Sequence, residues 1–112
     1  MRIFNMKKVG FLLLVAWLPT TQAAEIEVGQ QKKSFVVKGV TIEQLKIKAG
    51  DTLRFKNHDP FFHNVFSLSE IKTFDIGSFP AGDSRTVTFS QKGTVDVECA
   101  IHPEMQLKLE VQ

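Results

Sequence analysis

Cys99, His102 and Met105 stand at three-residue intervals in the segment Cys99-Ala100-Ile101-His102-Pro103-Glu104-Met105, near the end of a 112-residue chain with no other cysteine. A thiolate, an imidazole and a thioether in one short loop form a donor set that suits copper. That metal accepts two histidines and a cysteine in a trigonal arrangement with a weak axial methionine. The loop supplies only one of the two imidazoles. His63 is the candidate for the other, since it follows Pro60-Phe61-Phe62 and shares its strand phase with Val65. His58 is the competing histidine, but it sits between Asn57 and Asp59, a polar setting that suits an exposed turn.

The single thiol is informative because of where the chain is expected to go. Arg2, Lys7 and Lys8 precede the apolar run from Val9 to Leu18, and Thr21-Gln22-Ala23 offers the small residues that a signal peptidase reads. Residues 1–23 are therefore read as a secretory signal peptide, leaving 24–112 as one small domain without a membrane span. The apolar run is shorter than the roughly 20 residues that a span needs. In an oxidising compartment a lone cysteine is a buried inert thiol, half of an intermolecular disulfide or a metal ligand. Its neighbours favour the last.

Charge excludes one class of partner. The three leader cations account for the formal surplus: of 14 Lys+Arg, 14 − 3 = 11 remain against 12 Asp+Glu. A near-neutral domain has no electrostatic footprint for nucleic acid.

The elements that must position these donors read as short strands with turn punctuation and no trustworthy helical period. Glu25 to Val28 and Lys33 to Val37 are the first strands. Thr41 to Lys48 follows with a change of phase, which predicts a bulge or a strand passing from one sheet to the other. Thr52 to Asn57 follows the turn Ala49-Gly50-Asp51, and residues 57–62 form a loop in which Pro60 blocks a ladder. Val65 to Leu68 is a short strand, and residues 69–84 are read as irregular. Arg85 to Phe89, Thr94 to Cys99 and Leu107 to Val111 complete the set. Seven to eight such strands predict an all-β, two-sheet antiparallel sandwich. Cys99 shares its face with Val95 and Val97, so its sulfur is expected on the core side at the end of a strand. Asn64 is placed to hydrogen-bond across to the cysteine loop and orient the ligands.

His63-Asn64-Val65, Lys48-Ala49-Gly50-Asp51-Thr52, Gly93-Thr94 and Cys99-x-x-His102-Pro103-x-Met105 together resemble the cupredoxins, over nearly all of residues 24–112. The short ligand loop is most similar to that of the amicyanins, with pseudoazurins and plastocyanins as wider relatives. The resemblance implies a Greek-key β-sandwich holding one type 1 (blue) copper ion at one end. By matched position His63, Cys99 and His102 would be equatorial ligands and Met105 the axial one. The chain departs from the pattern at Leu107, where relatives usually carry glycine, and at Val95 and Val97, where aromatics are often found.

Such a site implies a periplasmic, monomeric carrier that passes single electrons between Cu(I) and Cu(II). Its partners would be redox proteins such as a c-type cytochrome, a dehydrogenase or an oxidase. Phe61, Phe62, Ile101 and Pro103 are the candidate apolar patch for those encounters. Four protein ligands leave no open position for substrate, so no enzymatic activity is expected. Two other functions fit the same residues: copper binding and delivery with an exchangeable ion, and a metal-free sandwich that binds a partner.

Overall fold

The structure is a computed structural model that describes residues 22–112. The signal peptide expected over 1–23 therefore lies, through residue 21, outside the described residues. Ten strands and no helix occur among the described residues. They are β1 (Glu25–Gln31), β2 (Ser34–Val37), β3 (Val40–Thr41), β4 (Gln44–Ile47), β5 (Asp51–Asn57), β6 (His63–Ser67), β7 (Phe74–Phe79), β8 (Ser84–Phe89), β9 (Gly93–Glu98) and β10 (Gln106–Val111). They form two five-stranded sheets, ordered β3-β2-β1-β5-β8 and β4-β10-β9-β6-β7.

The predicted all-β sandwich is present, with more strands than the seven to eight expected and with mixed rather than purely antiparallel sheets, since β1 runs parallel to β5 and β4 to β10. The phase change within Thr41 to Lys48 is a sheet crossing: β3 pairs with β2 in one sheet, and β4 runs parallel to β10 in the other. The segment read as irregular, residues 69–84, contains β7, paired with β6. Its alternation was hidden because β7 is an edge strand and Gly77 has φ +75°, which shifts the inward phase from Phe74 and Ile76 to Phe79.

Alternation in β5, β9 and β10 fills the space between the sheets. Leu53 and Phe55 of β5 face Val95 and Val97 of β9 and Leu107, Leu109 and Val111 of β10, all buried. Phe35 packs edge-on against Phe55, and Phe74 against Phe89.

The inward phase of β5 begins and ends on polar residues, Asp51 and Asn57, and both are satisfied by backbone. Asp51 accepts from the N–H groups of Ala24 and Lys48, each at 2.9 Å. The Asn57 amide donates to the carbonyls of Phe61 (2.7 Å) and Phe79 (3.2 Å). These bonds tie the loop at one end of the sandwich to β5, and that loop leads directly to His63.

Candidate metal centre

Two strands of one sheet carry the site. β6 and β9 pair at Phe66 and Glu98, and that antiparallel register, continued past the last pair, sets Asn64 opposite Ala100. There the backbones no longer hydrogen-bond to each other, and the Asn64 side chain makes the link: the Ala100 N–H donates to Asn64 Oδ1 at 2.8 Å. Asn64 is held in turn by Gln30, whose amide lies 3.4 Å from the Asn64 carbonyl.

His63, the first residue of β6, is fully buried, and Cys99, just beyond β9, is buried at 1 % exposure. His102 lies in the following turn and is half-buried. The turn closes through the Met105 N–H, which donates to the His102 carbonyl at 2.9 Å across Pro103. Met105 itself is buried in the core cluster.

Three donor atoms converge. Cys99 Sγ is 3.7 Å from His63 Nδ1 and 3.9 Å from His102 Nδ1, and the two Nδ1 atoms are 3.2 Å apart. Three donors spread trigonally about one ion, with bonds of about 2.1 Å, would be separated by about 3.6 Å. The observed spacings bracket that value. Among the described residues this is the one His/Cys/Asp/Glu group that could hold a metal ion. Soft sulfur with two imidazoles fits copper, which answers the question of donor chemistry.

The orientation of His63 follows from its other nitrogen. Nε2 is 2.7 Å from Asp59 Oδ2. A carboxylate can only accept, so Nε2 carries the proton and the Nδ1 lone pair is free to face Cys99 and His102. The same carboxylate accepts from Lys32 N at 2.6 Å and Lys33 N at 3.1 Å. Burial pushes the Asp59 pKa upward. The His63 hydrogen bond, the two backbone donors and the nearby His63 ring outweigh it, leaving the carboxyl below its ordinary 3.8.

Phe61 covers the pair of imidazoles, its ring centroid 5.3 Å from that of His63 and 5.1 Å from that of His102. The two imidazole centroids are 4.8 Å apart. Phe62 and Ile101 are about half exposed (53 % and 47 %), and Pro103 is exposed too. Ile101 and Pro103 flank half-buried His102 in the chain, and Phe62 lies between Phe61 and His63.

His58 is elsewhere. It is exposed on the outer face of the first sheet, over Gly29, with Nε2 3.4 Å from Glu27 Oε2. The polar run Asn57-His58-Asp59 is not the solvated turn that its composition suggested, since Asn57 and Asp59 are buried. Sequence reasoning missed Asp59. The available signal was an acidic residue four positions before the histidine, but nothing local told whether His58 or Asp59 faces inward.

No family model matches the chain. It is 31% identical over 70 residues to the methylamine utilization protein MauL of Methylorubrum extorquens, a match covering 60% of this chain and 60% of that relative. Among solved structures, an oxidized amicyanin variant superimposes with a TM-score of 0.69 at 25% identity, covering 79% of this chain and 82% of the other. A copper(I) form of another amicyanin variant matches equally well (TM-score 0.69, 25% identity, 83% and 86% covered). The copper-containing nitrite reductase of Thermus scotoductus has the same fold over part of its length, at a TM-score of 0.69 and 21% identity. That match takes in 86% of this chain and 24% of the reductase.

Proposed function

We propose that this chain is a cupredoxin, a periplasmic blue-copper carrier that accepts and donates one electron at a time; the likeness to amicyanin structures and to MauL supports the reading. The observation that carries this reading is the convergence of His63 Nδ1, Cys99 Sγ and His102 Nδ1 in one buried corner. Copper bound there would supply the one-electron couple between Cu(II) and Cu(I). His63, Cys99, His102 and Met105 are proposed to hold it, with Asn64 bracing the two segments.

The chain's own part is to hold these donors still. An electron carrier gains by keeping the same ligand positions in both oxidation states. The sandwich, the Asn64–Ala100 bond and the turn closed on His102 restrict movement of the cysteine loop. Phe61 excludes water from the imidazole faces. Half-buried His102 is the proposed exit for the electron, with Phe62, Ile101 and Pro103 as the proposed contact patch. Brief redox encounters need only small interfaces, below about 1,200 Å². Partners of this kind are c-type cytochromes, dehydrogenases or oxidases, and the MauL likeness makes an amine-oxidising system the first to try. Four protein donors leave no place for a substrate, so we read the chain as a monomeric carrier rather than a catalyst.

Export rests on the sequence of residues 1–23. Cleavage after Ala23 would convert the Ala24 nitrogen, 2.9 Å from Asp51 Oδ1, into an ammonium group with a waiting counter-charge.

The test is a copper(II) titration of residues 24–112 followed in the visible range. One equivalent bound with an intense thiolate band, lost in Cys99→Ser, is the expected result. Uptake without that band, reversed by a mild chelator, would favour copper delivery, and no uptake would leave a metal-free sandwich.

A further inference from the structure

Asp59 is buried, with 5 % exposure, and every hydrogen bond it accepts comes from a segment that matters to the site. One oxygen takes the Lys32 N–H, and the other takes the Lys33 N–H and His63 Nε2. Lys32 and Lys33 both have positive φ, +53° and +57°, a turn conformation that ordinarily calls for Asn-Gly. Two non-glycine residues held there, with their N–H groups converging on one carboxylate, make a cradle for a fixed negative charge. The charge is therefore clamped from one side by the β1–β2 turn and aimed from the other at the imidazole that faces Cys99.

Resting on the copper reading above, we infer that Asp59 is a positioning residue for the metal. Its carboxylate fixes the tautomer and ring angle of His63 and, through the Nε2–H bond, makes Nδ1 a stronger donor. A more basic imidazole and a nearby buried negative charge both favour the higher-charged ion. The consequence is a reduction potential lower than the same four ligands would give without the carboxylate. The β1–β2 turn, remote in sequence from every proposed ligand, becomes part of the device that sets the potential. No step of electron transfer passes through Asp59; it acts on His63 alone.

The experiment has a metal-free arm and a copper arm. In the apoprotein, proton–nitrogen NMR of the histidine rings is expected to show His63 with its proton on Nε2, slow to exchange. Asp59→Asn is expected to lose that protection. In the copper-loaded proteins, Asp59→Asn is expected to retain the intense visible band and to raise the potential. The shift corresponds to about a tenfold change in the relative stability of the two oxidation states, 59 mV for a one-electron couple.

A coloured Asp59→Asn protein with an unmoved potential overturns the inference, as does a wild-type apoprotein whose His63 carries its proton on Nδ1. That second measurement stands even if Asp59→Asn fails to fold. A wild-type chain that binds copper without the intense band overturns the electron-carrier reading instead, while the tautomer still reports whether Asp59 holds His63.

Discussion

Asn64→Ala removes the oxygen that accepts from the Ala100 N–H across 36 residues of sequence. Ala100 is exposed, so the freed N–H finds water, and Asn64 is only half-buried, so little cavity remains. The loss is then that of one neutral hydrogen bond, about 0.5–1.5 kcal/mol, without the larger penalty of a buried orphan donor. For a domain of this size each kcal/mol lowers Tm by about 4–8 °C. The apoprotein is expected to show the full drop. The loaded protein, melted at the same copper concentration, should lose more, because weaker copper binding adds to the apoprotein's loss. An extra cost of about 1 kcal/mol in bringing the segments together should weaken copper binding roughly fivefold. Residues 24–112 contain no Trp or Tyr, so melting has to be followed by far-ultraviolet circular dichroism rather than by fluorescence. Asn64→Asp, which keeps an acceptor oxygen, should retain most of the apoprotein's stability. An Asn64→Ala apoprotein that melts with the wild type and releases copper at the same rate would refute the idea that this amide braces the site.

Acid should destabilise the fold through Asp51 as well. Its carboxyl is held below 3.8, first by the Ala24 N–H, then by the Lys48 N–H and the Lys48 charge, with burial opposing. The folded state therefore binds this proton less readily than the unfolded chain. Asp51's contribution is complete above the ordinary 3.8 and is lost as pH falls through the lower folded value. Denaturant titrations of the apoprotein against pH should show this loss, and Asp51→Asn should flatten the acid limb; an unchanged limb would count against it. Gly93→Ala should cost about 1–3 kcal/mol, because Gly93 has φ +138° and an added Cβ would stand 2.7 Å from Ile71 Cδ1. The Ile71 tip can give way and the backbone angle cannot, so the denaturation midpoint should fall with its slope unchanged.

Much of the architecture was legible in the spacing of residues. Val95, Val97 and Cys99 alternate, and the pleat of a strand sends all three to one face, which is where they lie. The phase break between Ile42 and Leu45 marked either a bulge or a sheet crossing; the structure has the crossing, and a strand that changes partner must change which side it buries. β7 escaped notice because alternation is informative only where one face is covered, and an edge strand with a glycine of positive φ lacks that contrast.

The chemistry of the cysteine loop was written locally: bond lengths and a proline-stiffened turn keep Cys99, His102 and Met105 together whatever the rest of the chain does. The choice of the fourth partner was not local. Whether His58 or His63 approaches the thiol depends on which side of β5's extension each residue leaves. That is settled by the Asn57 bonds to Phe61 and Phe79 and by the pairing of β6 with β9. Asp59 makes the same point more sharply. Its role exists only because a turn between two other strands presents a pair of backbone donors beside it, and such a meeting arises from packing across the sandwich rather than from the order of residues.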